Sequence, residues 1–263
     1  MADTVTTAAE IAAYVGAGAW LPQIATWIYH AVVRPVITIV PERTVEVGFT
    51  SFGPIFNLRL ALASKRADAV IDGIELDVRH ADGATRILRW AGLKETLSEV
   101  RDQAGLRQQV VERDEVPVAL KLGTTSLVQR FVRFQEPAYH DSLEPLMSDL
   151  VAHFNHLKRT DPEFVTKTIA SQEIHTVIEA RKQSFWWKPG KYSLRFSLNS
   201  LDRISVRNDQ AEFTLTASDI ERLRANLDVL KIELENLVKS NIEDQAPPPI
   251  VWNWVNTNLR THT

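Results

Sequence analysis

The run AVIDGIELDVRH at residues 69–80, followed by ADG and then ATRILRW at 84–90, constrains this chain more than any other stretch. Ile74, Leu76 and Val78 alternate with Glu75, Asp77 and Arg79, so an extended strand here has one apolar and one charged face, as a half-solvated antiparallel strand does. Asp82-Gly83 tolerates the positive φ angles of a tight turn, which predicts that 84–90 returns beside 69–80 as a hairpin. A chain built on such a hairpin must bury one face of a sheet.

The same period recurs. Arg34-Pro35 stops any helix before it, because proline disfavours helical geometry in the residue it follows, and VITIV at 36–40 then reads as a strand. TVEVGF at 44–49 alternates, and in IFNLRLALA at 55–63 the set Phe56, Leu58, Leu60 and Leu62 is assigned to the core. Further strands are expected at 116–122, 191–199, 203–206 and 211–216. Eight or so short strands with turn signals between them predict two packed sheets.

The segment KPGKYSLRF at 188–196 resembles the late strand of immunoglobulin-like and fibronectin-type-III-like sandwiches. There a turn delivers a tyrosine whose hydroxyl bonds nearby backbone, and Tyr192 takes that place here. The resemblance implies an antiparallel immunoglobulin-like sandwich, mainly β with helical additions (α+β), spanning 35–216. A superfold of this kind carries no function with it.

Helical spacing interrupts the strands at about 124–187, read as an insertion in the sandwich. Leu143, Leu146, Met147, Leu150, Val151, Phe154 and Leu157 follow three-and-four spacing, and Asp161-Pro162-Glu163 starts a second helix. In SLVQRFVRFQE, cations interleave with aromatics as in single-strand nucleic-acid binders. Helical spacing of Leu127, Phe131 and Phe134 instead makes them a core face, with Arg130 and Arg133 alongside.

Ser218-Asp219-Ile220-Glu221 forms a capping-box pattern ahead of Ile220, Leu223, Leu227, Leu230, Leu234 and Leu237, predicting one amphipathic helix over 217–241. That helix either lies on the body or pairs two chains as a short coiled coil, which would make the protein a homodimer. Residues 242–263 follow as a proline-rich linker and a tail in which Trp252 and Trp254 share one side of an extended strand.

Residues 11–33 contain no Asp, Glu, Lys or Arg, and about 20 apolar residues suffice to cross a bilayer as a helix. Ile11, Trp20, Leu21, Ile24, Trp27, Ile28, Val32 and Val33 are its anchor candidates, while Pro22, Gln23 and His30 weaken it. Three readings stay open for residues 1–34: a single-pass anchor, a peripheral interfacial helix, and helices packed on the body. Arg34 and Arg43 follow the stretch and nothing basic precedes it, so a spanning helix would leave the body on the cytoplasmic side of the membrane. Without spanning, the expected location is the cytoplasm.

Charge and composition exclude several chemistries. Lys plus Arg number 30 against 33 Asp plus Glu, a net −3 that gives no field for nucleic acid. The absence of cysteine removes disulfides, thiolate nucleophiles and Cys-ligated metals. The glycines at 48, 53, 73, 83 and 92 form no phosphate-binding loop, so no cofactor is expected. Asp149, His153 and His156, at i, i+4 and i+7, are the metal-site candidates, though solvated side chains flanking an apolar helix face explain them as well. Trp186, Trp187, Trp252 and Trp254 form a candidate partner surface.

These readings converge on a non-enzymatic interaction or sensing protein, attached to membrane lipid through residues 11–33 and meeting a protein partner. The alternatives are a soluble hydrolase or metal-binding enzyme using Asp149, His153 and His156, and a soluble structural subunit of an assembly.

Overall fold

The computed structural model describes residues 20, 23, 26, 33–101, 107–116, 118–240 and 249–261. Its strands all belong to one hydrogen-bonded sheet, not two facing sheets. In chain order these are β1 (Val36–Pro41), β2 (Thr44–Thr50), β3 (Gly53–Lys65), β4 (Ala69–His80), β5 (Thr85–Arg101), β6 (Arg107–Glu115), β7 (Leu120–Leu122) and β8 (Leu127–Gln135). After three helices come β9 (Gly190–Ser200), β10 (Ser205–Arg207) and β11 (Gln210–Leu215), then two more helices, β12 (Val255–Asn258) and β13 (Arg260–Thr261). The main path runs β10-β1-β3-β8-β5-β4-β9-β11-β13 and curls into a half-barrel. Every pairing is antiparallel except β1 with β10, so the sheet is mixed.

The expected immunoglobulin-like antiparallel sandwich is therefore wrong, and the reason lies in strand length. A long strand can exchange neighbours along its course. One edge of β3 bonds β2 through Gly53–Asn57 and β1 through Leu60–Lys65, while its other edge bonds β8. Register shifts at Ile71/Gly73 and Trp90/Gly92 mark bulges, which bend and twist a strand and help a sheet curl. The C-terminal tail spans the open side: β12 pairs with β2, and β13, beyond Leu259, pairs with β11.

The concave face is filled with side chains. Phe56, Leu58, Leu60, Phe134, Trp187, Tyr192, Leu194, Phe196 and Phe213 are at most 2% exposed. The assignment of Phe56, Leu58, Leu60 and Leu62 to the core holds. The hairpin at Asp82-Gly83 also forms, with His80 N–H donating to Ala84 O and Gly83 at φ +93°.

The helices gather at one end of this half-barrel. They are α1 (Pro137–Thr160), α2 (Phe164–Ile169), α3 (Gln172–Gln183), α4 (Ala217–Arg224) and α5 (Asn226–Lys239). Leu150, Val165, Ile174, Val177, Ile178, Leu234 and Val238 make a second core between α1, α2, α3 and α5. The insertion starts at Pro137 rather than 124, because LVQRFVRFQ is strand β8, with Val132 and Phe134 buried and Leu127 exposed. Alternating apolar residues spaced two apart satisfy a strand, and the wider spacing of Leu127, Phe131 and Phe134 had concealed them.

The single helix expected over 217–241 is two helices, broken at Ala225. Its cap is Thr216, whose hydroxyl accepts from Asp219 N–H while the Asp219 carboxylate accepts from Thr216 N–H. Ile220, Leu223, Leu230 and Leu234 are buried in the chain's own cores, so most of the leucine seam is already covered. Only Leu237, at 57% exposed, faces outward.

No helix among the described residues is long and apolar enough to cross a membrane. That corrects the single-pass expectation as far as those residues go. Of the anchor candidates, Trp20 is exposed and Val33 half-buried, whereas Ile11, Leu21, Ile24, Trp27, Ile28 and Val32 lie outside the described residues.

One part of the sheet leaves the body. Strand β5 pairs with β4 only through Arg89 and with β8 only through Lys94. From Glu95 onward it pairs with β6 alone, and among the described residues β6 has no other strand partner. The pair is a two-stranded ribbon whose outer β6 edge carries no further strand among the described residues.

Candidate functional site

The helix-covered end of the half-barrel holds Glu136, where β8 passes into α1. The segment linking α3 to β9 crosses it, because Phe185 and Trp187 need burial and Pro189-Gly190 turns the chain into the sheet. Phe185 packs edge-on to Phe49 at 5.1 Å, Trp187 stacks on Trp186 at 4.1 Å, and the Trp187 indole donates to Gly48 O at 3.1 Å. Tyr192 stacks on Phe213 at 4.8 Å; its hydroxyl accepts from Lys188 N–H and donates to Lys188 O. Burial pushes the phenol up to about 12, so it stays a donor. The local tyrosine geometry implied by the resemblance is thus present on a different fold.

Beside it, His80 ends β4 with its ring 4.8 Å from Tyr192. Its Nε2 lies 3.2 Å from Pro189 O and its Nδ1 2.9 Å from an Asp82 carboxylate oxygen. Lys188 donates to the other oxygen of Asp82 at 2.7 Å, and Ala84 N–H donates to the first. Lys188, then the Ala84 amide, then His80 hold the Asp82 carboxyl well below the usual carboxylate range. Gly190, at φ +140°, leaves room for this arrangement: a Cβ there would sit 2.6 Å from His80 Nε2. The row Lys188–Asp82–His80 ends at the Pro189 carbonyl. It clamps the β4–β5 turn to the crossing segment.

Glu136 is the more deeply buried carboxylate. It joins β8 to α1 and is 9% exposed, with Arg86 Nε 3.5 Å from its carboxylate. Burial raises its pKa, opposed by the Arg86 charge and by the nearby Trp186 indole. That indole N–H is buried near the carboxylate without reaching hydrogen-bonding geometry. Such a carboxyl takes up a proton more readily than a solvated one.

The residues singled out from the sequence are not brought together. Asp149 and His156 are exposed on α1, and His153 Nδ1 lies 3.7 Å from Glu173 on α3. Among the described residues no group of three or more His, Asp or Glu side chains is placed to hold a metal. Of the four tryptophans, Trp187 is core, Trp186 and Trp252 pack half-buried against it, and Trp254 lies over Gly48, where a Cβ would meet its ring at 2.2 Å.

Sequence reasoning missed Glu136, Arg86, Arg181 and Asn226. Asn226 is fully buried; its amide donates to Phe49 O and Asn253 O, and its Oδ1 accepts from Asn253 N–H. A polar residue at a buried helix position between Leu223, Leu227 and Leu230 was the one signal for it. No family model, curated protein or solved structure matches the chain.

Proposed function

We propose that this protein is a non-enzymatic interaction module that docks a partner polypeptide by strand addition along the free edge of β6. The supporting observation is the ribbon: beyond Lys94 no other strand among the described residues lies beside the β5–β6 pair. An isolated two-stranded hairpin is marginal in water, and its unpaired N–H and C=O groups form a template for another strand. The chain emerges from β6 through Val116 and Val118, each 84% exposed, which extends the edge with apolar surface. The filled concave face points the same way, because side chains of the described residues pack the space that a ligand chamber would need.

The register defines a clean test. Replacing 96–112 by Asn-Gly keeps the rungs Lys94–Asp114 and Glu95–Arg113 and closes them with a two-residue turn. A photo-crosslinking residue at position 110 of the full chain should yield one discrete adduct in the native cell extract, and a Pro at 109 or 111 should abolish it. The shortened ribbon should lose the same partner from co-purification at an unchanged melting temperature. Retention of that partner by the shortened protein would defeat the proposal.

A further inference from the structure

We infer that the helix-free end of the half-barrel docks on an anionic lipid bilayer as a peripheral contact. This surface is separate from the ribbon, and neither proposal depends on the other. The strand register assembles it. Val36 of β1 lies between Lys65 of β3 and Ser205 of β10, Ala69 of β4 is opposite Leu122 of β7, and Ile71 is opposite Ser200 of β9. The loops 66–68, 123–126 and 201–204 that join these strands therefore lie at one end. Thr124 N–H donates to Asp68 there, and the Ser200 hydroxyl donates to Val70 O.

Apolar exposure and positive charge coincide at this end. Leu201 is 88% exposed, more than any other large apolar side chain among the described residues, and Leu127 and Val70 are exposed on the rim. Exposed leucines scattered singly are ordinary, but these share their rim with cations. Arg34, Lys65, Arg66, Lys121 and Arg203 are all exposed, and among the described residues none of the five is in an ion pair. Only Asp68, Asp72 and Asp202 stand against them at this end.

The surroundings select the partner. The whole chain carries a net −3, so an anionic surface repels it on average and favours the one end with a local positive excess. Residues 11–33, which contain no Asp, Glu, Lys or Arg, join the body at this same end, through Arg34 and Pro35 into β1. An acidic protein would match the cations and leave that apolar stretch without a counterpart. A bilayer surface matches both, with anionic headgroups over hydrocarbon. No spanning helix is needed, because apolar contact and headgroup attraction add.

The test is flotation of the full chain with vesicles. Phosphatidylcholine vesicles containing phosphatidylserine should bind it at least about tenfold more tightly than pure phosphatidylcholine. Each Lys or Arg near such a surface contributes about fivefold in affinity, so the double variant Lys65→Glu, Arg203→Glu should bind at least about tenfold more weakly. Arg159→Glu, an exposed change on α1 at the helical end, should bind like the parent. The chain has no cysteine, so Leu201→Cys accepts one environment-sensitive dye, and this readout needs no charge change. Its emission should move to the blue on addition of the anionic vesicles, and the same dye at Arg159→Cys should not respond. Absence of binding, equal binding to both vesicle types, unchanged binding in the double variant, or a dye response at 159 without one at 201 would each overturn the assignment. In the third case residues 11–33 meet lipid without the body.

Discussion

Strand β5 occupies two environments within one continuous run of backbone. From Thr85 to Lys94 it has neighbours in β4 and β8, and Leu88 and Leu93 are buried in the core; from Glu95 to Arg101 its one strand neighbour among the described residues is β6. The first half is held by hydrophobic burial, which scales with area removed from water. The second has hydrogen bonds that water can replace, each worth little net. Extended backbone is thus no measure of stability. What stands behind the strand decides.

The comparison predicts a descending series of effects. Phe56→Ala, at 0% exposed between Phe134 and Phe213, should cost about 3–5 kcal/mol in denaturant unfolding. A much smaller loss would mean that the concave face is loosely packed, and the contrast with the ribbon would fail.

Asn226→Ala should cost about 2–3 kcal/mol by the same measurement, since it strands buried carbonyls at Phe49 and Asn253. The tail should then exchange its amide hydrogens faster than β3 does. Unchanged exchange in residues 253–261 would show that the tail is held by its strand pairing alone.

Glu136→Gln should alter stability only in part of the pH range. The folded-state pKa of Glu136 is raised, so its neutral form is favoured in the folded protein. Its contribution is fully present below the ordinary carboxylate pKa and is lost as pH rises through the raised value. The glutamine variant should therefore melt higher than the parent at neutral and alkaline pH and match it near pH 3. A constant difference across the range would place the cause outside this ionisation.

Smallest of all, removal of 96–112 should shift unfolding free energy by no more than about 0.5 kcal/mol. A loss comparable to that of Phe56→Ala would show that the ribbon is part of the folding unit.

Local features were legible in proportion to how local their causes are. The Asp82-Gly83 hairpin, the alternation of Phe56, Leu58, Leu60 and Leu62, and the Tyr192 hydroxyl bonds depend on residues close in sequence. The curl does not. It depends on β3 exchanging β2 for β1 along its length and on β12 reaching β2 across the chain, and period-two alternation carries no record of which strand lies alongside. Strand β8 was misread because Leu127, Phe131 and Phe134 fit a helix template while Val132 and Phe134 fit a strand, and periodicity alone does not arbitrate short runs. The candidate site was less legible still. Glu136, Arg86 and Trp186 come from three separate segments, and Arg181 meets Glu233 only where α3 lies against α5.

The bridging tail has a consequence for how the protein is made. Strands β2 and β11 are synthesised long before β12 and β13, and each waits with one open edge until residues 255–261 arrive between them. During that interval a nascent chain displays two templates for mispairing, and Trp254 is not yet laid over Gly48. A message cut short before codon 253 would therefore yield a protein with most of its core residues and no means of sealing it. Such a product should accumulate in aggregates rather than as a weakened monomer.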